Sequence, residues 1–176
     1  VLAGLALLPG CQSRFEPNQG GPVSLGGGVT RLGPEDAIPE TVGQVLYVPA
    51  YSHIHTGNRG ERILLAETLS VRNTDTTRPI ILKSVRYHDS DGKPLHEELP
   101  SPVRLAPLAS AEFFVKESDT RGGSGASFLV EWVAEEPVNP PLIEAVMIST
   151  AGAQGIAFVR PARVIKDWTR ERADGL

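Results

Sequence analysis

The stretch Arg62-Ile63-Leu64-Leu65-Ala66-Glu67-Thr68-Leu69-Ser70-Val71-Arg72 carries a period of two. Ile63, Leu65, Leu69 and Val71 share one parity, while Leu64, Ala66, Thr68, Ser70 and Arg72 share the other. Successive side chains of an extended strand point to opposite faces, so the pattern sets one face on a core and leaves the other more polar. Only Glu67 interrupts the apolar face.

The same reading extends in both directions. Residues 44–52 form a strand in which Pro49, which has no N–H to give a ladder, points to an edge or a bulge. Residues 73–79 form a loop whose Asn73 and Asp75 side chains can bond nearby backbone. Residues 80–88 are β-rich and run into Asp89-Ser90-Asp91-Gly92, a hairpin signal, before residues 93–99 return. Leu105-Ala106-Pro107-Leu108-Ala109-Ser110 is a further turn, followed by a strand over 111–116. In residues 127–134, Phe128, Val130, Trp132 and Ala134 oppose Leu129 and Val133. Residues 142–150 and 155–159 supply the last strong strands, with 163–165 extending the second.

About seven strands with almost no helical periodicity, divided by Gly, Pro and Asx turns, predict an all-β fold. The expected form is an antiparallel immunoglobulin-like β-sandwich over residues 44–166. The Cys-Trp-Cys signature of true immunoglobulin domains is missing, and Trp132 is expected to fill the space between the sheets. Residues 166–172 suggest one helical turn, and residues 167–176 a frayed, charged tail.

Ahead of the sandwich, residues 12–43 hold seven Gly and four Pro and show no sustained apolar periodicity. They read as a flexible, disordered tether with a root-mean-square span of roughly 30 Å. Residues 1–11 form an apolar run closed by Leu8-Pro9-Gly10-Cys11, which resembles the end of a bacterial lipoprotein signal peptide whose front is missing. Ten residues are too few to span a bilayer, which needs about 20 in a helix. An acylated Cys11 would anchor the chain instead, because each buried CH₂ contributes about 0.8 kcal/mol. Gln12, where an aspartate would favour the inner membrane, directs the expectation to the outer membrane, facing the periplasm. Cys11 is the only cysteine, which excludes an intrachain disulfide. A net charge of -4 without basic clusters interleaved with aromatics argues against nucleic acid as a partner.

The motifs Tyr47-Val48-Pro49-Ala50-Tyr51-Ser52-His53-Ile54, Leu69-Ser70-Val71-Arg72-Asn73-Thr74-Asp75, Glu117-Ser118-Asp119-Thr120 and Gly122-Gly123-Ser124-Gly125-Ala126 carry a resemblance. Together they resemble the bacterial domain of unknown function 3124 family, over about residues 44–165. Members of that family are often predicted lipoproteins. The resemblance implies no activity and transfers no functional residue.

Three constellations remain to be weighed. His53 and His55 stand at i and i+2, on one face of a strand, where both could reach one Cu or Zn ion. The further ligands would come from His88, His96, Glu67 or Met147. Asp89-Ser90-Asp91-Gly92 resembles the opening of a calcium loop, but Pro100 occupies the position that requires glutamate, and the hairpin reading prevails. Gly122-Gly123-Ser124-Gly125-Ala126 resembles a nucleophile elbow only in outline, since Ala closes it and a strand follows. That loop, with Asp119, Arg121, Gly122, Gly123, Ser124 and Gly125, is the better candidate for a binding surface at one end of the sandwich. No acid/base pair, nucleophile triad or cofactor cradle is visible. The expectation is a lipid-anchored, non-enzymatic interaction module of the cell envelope, with an envelope protein as candidate partner and no cofactor. The alternative is a periplasmic metal-binding protein using His53 and His55.

Overall fold

The computed structural model describes residues 22–38, 41–57, 60–150 and 155–168. Its elements are almost all strands: β1 (Pro22–Leu25), β2 (Val29–Arg31), β3 (Val42–Pro49), β4 (His53–His55), β5 (Arg62–Leu64), β6 (Ala66–Arg72), β7 (Ile80–His88), β8 (Pro94–Glu97), β9 (Val103–Leu105), β10 (Ser110–Val115), β11 (Ser127–Ala134), β12 (Leu142–Ser149), β13 (Ile156–Pro161) and β14 (Arg163–Asp167). One sheet has the order β1-β10-β6-β12-β13, and a second has the order β14-β3-β11-β7-β9-β2 with β8 hairpinned onto β7. β4 and β5 form a small ribbon of their own. The pairings are antiparallel, and the two sheets face each other across one core, as the alternating sequence predicts.

The inner face of the first sheet supplies Leu69 and Val71 from β6, Phe113 and Val115 from β10, and Ile143, Ala145 and Met147 from β12. The second answers with Leu46 and Val48 from β3, Phe128, Val130 and Trp132 from β11, and Leu82, Val85 and Tyr87 from β7. Trp132 is buried between the sheets as expected. The β7–β11 register slips between Glu131 and Trp132, so Leu82 and Val85, three residues apart, both face inward.

The long strand read over residues 62–72 is broken at Leu65, whose N–H bonds the Ser52 carbonyl instead of continuing a ladder. Pro49 is the last residue of β3, and β3 is an interior strand flanked by β11 and β14. Its missing N–H is tolerated because the β14 pairing covers only Gln44 to Tyr47.

Two further corrections concern the chain's flanks. The tether expected over residues 12–43 is instead, from Pro22 onward, part of the sandwich. β1 lies along β10, β2 along β9, and Val42 and Gly43 already belong to β3. Between β1 and β2, Gly26-Gly27-Gly28 carries the chain from one sheet to the other, with Val29 N–H on the Gly26 carbonyl and Ala106 N–H on the Gly28 carbonyl. Such short strands owe their order to their partners, and composition alone does not register partners. At the other flank, residues 163–165 do not extend β13. β13 closes the first sheet while β14 joins the second, the crossing being held by Ala162 N–H on the Ile143 carbonyl.

A smaller cluster lies outside the second sheet, where Leu32, Ile81 and Val133 pack with Ile38 and Trp168. A Cβ at Gly43 would run into the Trp168 ring, so glycine is what lets that ring lie on the strand. Trp168, placed in the expected tail, is thus packed. The signal-like residues 1–11 with Cys11, and residues 169–176, lie outside the described residues.

Candidate functional site

β7, β3 and β12 end, and β6 and β11 begin, at one end of the sandwich. The connection from β10 to β11 closes over this end. It turns first with Asp119 N–H on the Lys116 carbonyl, then at Gly123, whose φ of +78° suits glycine, and passes through a 3-10 turn at Gly123–Gly125. Three backbone donors from elsewhere fasten it: Ala50 N–H to the Ala126 carbonyl, Ser52 N–H to the Gly123 carbonyl, and Ser90 N–H to the Gly122 carbonyl. Ser90 Oγ donates to the Gly122 carbonyl at 3.0 Å and accepts from Gly125 N–H at 2.9 Å. Ser90 itself is set by the Asp89 turn, in which Oδ1 accepts from Asp91 and Lys93 N–H groups. The hairpin reading of Asp89-Ser90-Asp91-Gly92 therefore holds, and the turn doubles as a bracket for the glycine loop.

Beneath the loop is a buried polar group that spacing does not reveal. Glu67 is fully buried, and its Oε1 accepts from Ser52 Oγ at 3.1 Å and from Tyr87 Oη at 2.9 Å. The two hydroxyls are themselves 3.0 Å apart, and Glu67 Oε2 has no partner. Burial raises the Glu67 pKa to about 7; the two hydroxyl bonds oppose the rise, and the negative Asp119 and Glu98 add to it. The Tyr87 phenol is pushed up by burial and by Glu67. Gly122 forms the lid: a Cβ there would collide with the Tyr87 hydroxyl and lie 2.6 Å from Ser52 Oγ.

The rim is charged. Arg121 grips Asp119 through Nε to Oδ1 at 2.8 Å and Nη2 to Oδ2 at 2.6 Å, which holds the Asp119 carboxyl below its usual range. His96 lies alongside, its Nε2 3.2 Å from Arg121 Nη2, and its ring is edge-on to Tyr87. Burial, then Arg121, lowers its pKa. Glu98, also buried, has its pKa raised to about 7 by burial and by the neighbouring Glu97 and Asp119. Glu98 Oε1 has no hydrogen-bond partner although His96 Nδ1 is 3.3 Å away.

The binding-loop residues Asp119, Arg121, Gly122, Gly123, Ser124 and Gly125 are therefore brought together in one fixed turn. Arg121 and Ser124 face solvent, and Ser124 is bonded to no base among the described residues. His53 and His55 share a face of β4 with ring centroids 5.4 Å apart, but the further ligands do not join them. Glu67 is engaged with Ser52 and Tyr87, His96 with Arg121, and Met147 is in the core. Among the described residues no three His, Cys, Asp or Glu converge on a metal position. No helix among them is long and apolar enough to cross a membrane. At the opposite end, a cleft of about 240 Å³ opens between Arg78, Arg104, Ile81 and the 135–138 segment.

Sequence reasoning missed Ser52, Tyr87 and Glu98 as one group. The signal it did hold was Glu67, the one charged residue on the apolar parity of residues 62–72.

A solved structure from Thermotoga maritima, titled "Crystal Structure of Thermotoga maritima 1070", is similar at 17% identity, covering 68% of this chain and 92% of that one with a TM-score of 0.43. No curated protein matches the chain. The family model described as "Protein of unknown function (DUF3124)" matches residues 43–165, which takes in the core of the sandwich, the buried Glu67 group and the glycine loop. The chain belongs to this family.

Proposed function

We propose that the protein is a non-enzymatic binding module of the bacterial cell envelope, anchored by lipid at Cys11 and contacting an envelope protein through the turn that carries Asp119, Arg121 and Gly122 to Gly125. The observation that carries the binding half is the bracing of that turn. It is tied by three backbone donors from two separate segments, Ala50 and Ser52 between β3 and β4 and Ser90 after β7, while the Arg121 side chain is 61% exposed. A loop whose shape is settled before contact loses less entropy on binding than a floppy connection does. The anchor half rests on Leu8-Pro9-Gly10-Cys11, and the outer-membrane, periplasm-facing placement rests on Gln12.

Each half has its own test. A photoreactive residue at Ser124 is expected to crosslink to a discrete envelope protein in intact cells, and one at Glu136, at the far end, is not. Absence of a crosslink at Ser124, or the same products at both positions, defeats the binding reading. Cys11→Ser is expected to move the protein from the membrane to the soluble fraction, and retention in the membrane defeats the anchor.

A further inference from the structure

The glycine turn, held by the β3–β4 connection and by the hairpin after β7, lies over the hydroxyls bonded to one ionisable group. Glu67 has no exposed surface: its Oε2 is buried without a partner, and its Oε1 is bonded to the Ser52 and Tyr87 hydroxyls, the two groups against which Gly122 of the turn is packed. The groups facing it are known from each packed element. β7 contributes the Tyr87 hydroxyl and the segment before β4 contributes Ser52, while Val115 of β10 and Met147 of β12 are its apolar neighbours in register. The charges acting on it, Asp119 from the turn and Glu98 from beyond β8, are both acidic, and Arg121 is bonded to Asp119 through both carboxylate oxygens.

A neutral carboxyl tolerates this setting, whereas a carboxylate there leaves Oε2 desolvated beside the acidic Asp119 and Glu98. Water is the donor that would relieve it, and Gly122 of the turn, which has no side chain, packs on the two hydroxyls that bond Glu67. We propose that Glu67 gates the 117–125 turn, which stays seated on Ser52 and Tyr87 while the carboxyl is neutral and lifts when it ionises, so that the contact face changes with ambient pH. The proposal rests on the reading of this turn as the contact face and names its regulation.

The direction follows from linkage. Burial with the turn seated holds the Glu67 pKa at about 7 against an ordinary 4.5, and lifting the turn to admit water would return it toward the ordinary value, so the seated state is favoured at low pH and is lost as pH rises toward 7. Amide hydrogen exchange over residues 117–125, measured on the full chain in detergent between pH 5 and 8 and corrected for intrinsic rates, reads this. The opening constant is expected to rise about tenfold per pH unit below 7 and to level off above it. Glu67→Gln is expected to abolish the rise, and Glu98→Gln to retain it. A flat wild-type profile, the same rise in Glu67→Gln, or loss of the rise in Glu98→Gln alone would each overturn the proposal. If Glu67→Gln does not fold, carboxyl ¹³C shifts of the wild type serve instead. The Glu67 carboxyl and the Gly122 and Gly123 amides should titrate together, and amides that stay still while Glu67 titrates overturn the gate. Neither readout uses a partner. A turn that opens with pH while Ser124 crosslinks to nothing refutes only the binding reading, and crosslinking with a flat exchange profile refutes only the gate.

Discussion

Replacing Glu67 by glutamine keeps the side chain's shape and removes its charge, which separates what the carboxyl contributes by bonding from what it costs by ionising. At pH 5 the wild-type carboxyl is neutral and the two proteins should be of similar stability. At pH 8 it is charged, and the wild type bears either a buried carboxylate or a lifted turn, so Glu67→Gln is expected to be more stable by about 2–3 kcal/mol, read from urea unfolding at both pH values. A variant no more stable at pH 8 than wild type would mean that Glu67 is not held at a raised pKa. Gly122→Ala meets a different obstacle. Its φ of -62° suits any residue, but the methyl would collide with the Tyr87 hydroxyl, and overpacking of this kind costs roughly 1–3 kcal/mol. Tyr87→Phe in the same chain removes the obstructing oxygen and should recover part of that loss. At this scale the sequence already singled out Glu67, because a charge on the core parity of a strand is an anomaly. Ser52 and Tyr87 gave no such sign, since a serine before a histidine pair and a tyrosine in a β-rich run are ordinary until the fold brings them within 3 Å of one another.

The loop between β6 and β7 shows how far a polar turn can organise the strands around it. Asn73 is buried, and its Nδ2 donates to the Arg78, Leu105 and Ala106 carbonyls while Oδ1 accepts from Asp75 N–H. Asp75 in turn accepts from the backbone of Thr77, Arg78 and Asn139, bonds that hold its carboxyl down to about 2. Asn73→Ala removes a donor shared by three carbonyls and should cost about 2–3 kcal/mol in thermal or urea unfolding. Because the Asp75 pKa is depressed, its contribution is present above the ordinary carboxylate value of 3.8 and is lost as pH falls toward 2. Acid unfolding of Asp75→Asn should therefore be less steep below pH 4 than that of wild type. The Asn and Asp of this loop were legible as turn chemistry, and so was the Asp89 hairpin. What they reach across the fold was not: Asn139 is 64 residues from Asp75. For the same reason β1, β2 and β14 escaped the pattern. Strands of three to five residues have too few alternations to be read, and it is β10, β9 and β3 that make them strands.

On the scale of the whole molecule, the alternation of β6, β11 and β12 was enough to predict two antiparallel layers, because inward and outward parity needs no knowledge of topology. Which layer each strand joins depends on partners far along the chain, and the crossing at Ala162 could not be read from a run that looks continuous through residue 165. The outer cluster of Leu32, Ile81, Val133, Ile38 and Trp168 covers apolar side chains that would otherwise face water. Trp168→Ala should lower stability by roughly 2 kcal/mol and increase the binding of a hydrophobic dye, with no change in the pH response of the glycine turn. The segments flanking β3 to β13 also act as fenders. β1 shields the rim of β10 and β2 shields that of β9, so a fragment trimmed to begin at Val42 would present two bare ladders of N–H and C=O groups to its neighbours. Such a truncate should stick to itself in a concentration-dependent way under conditions in which the longer chain stays dispersed.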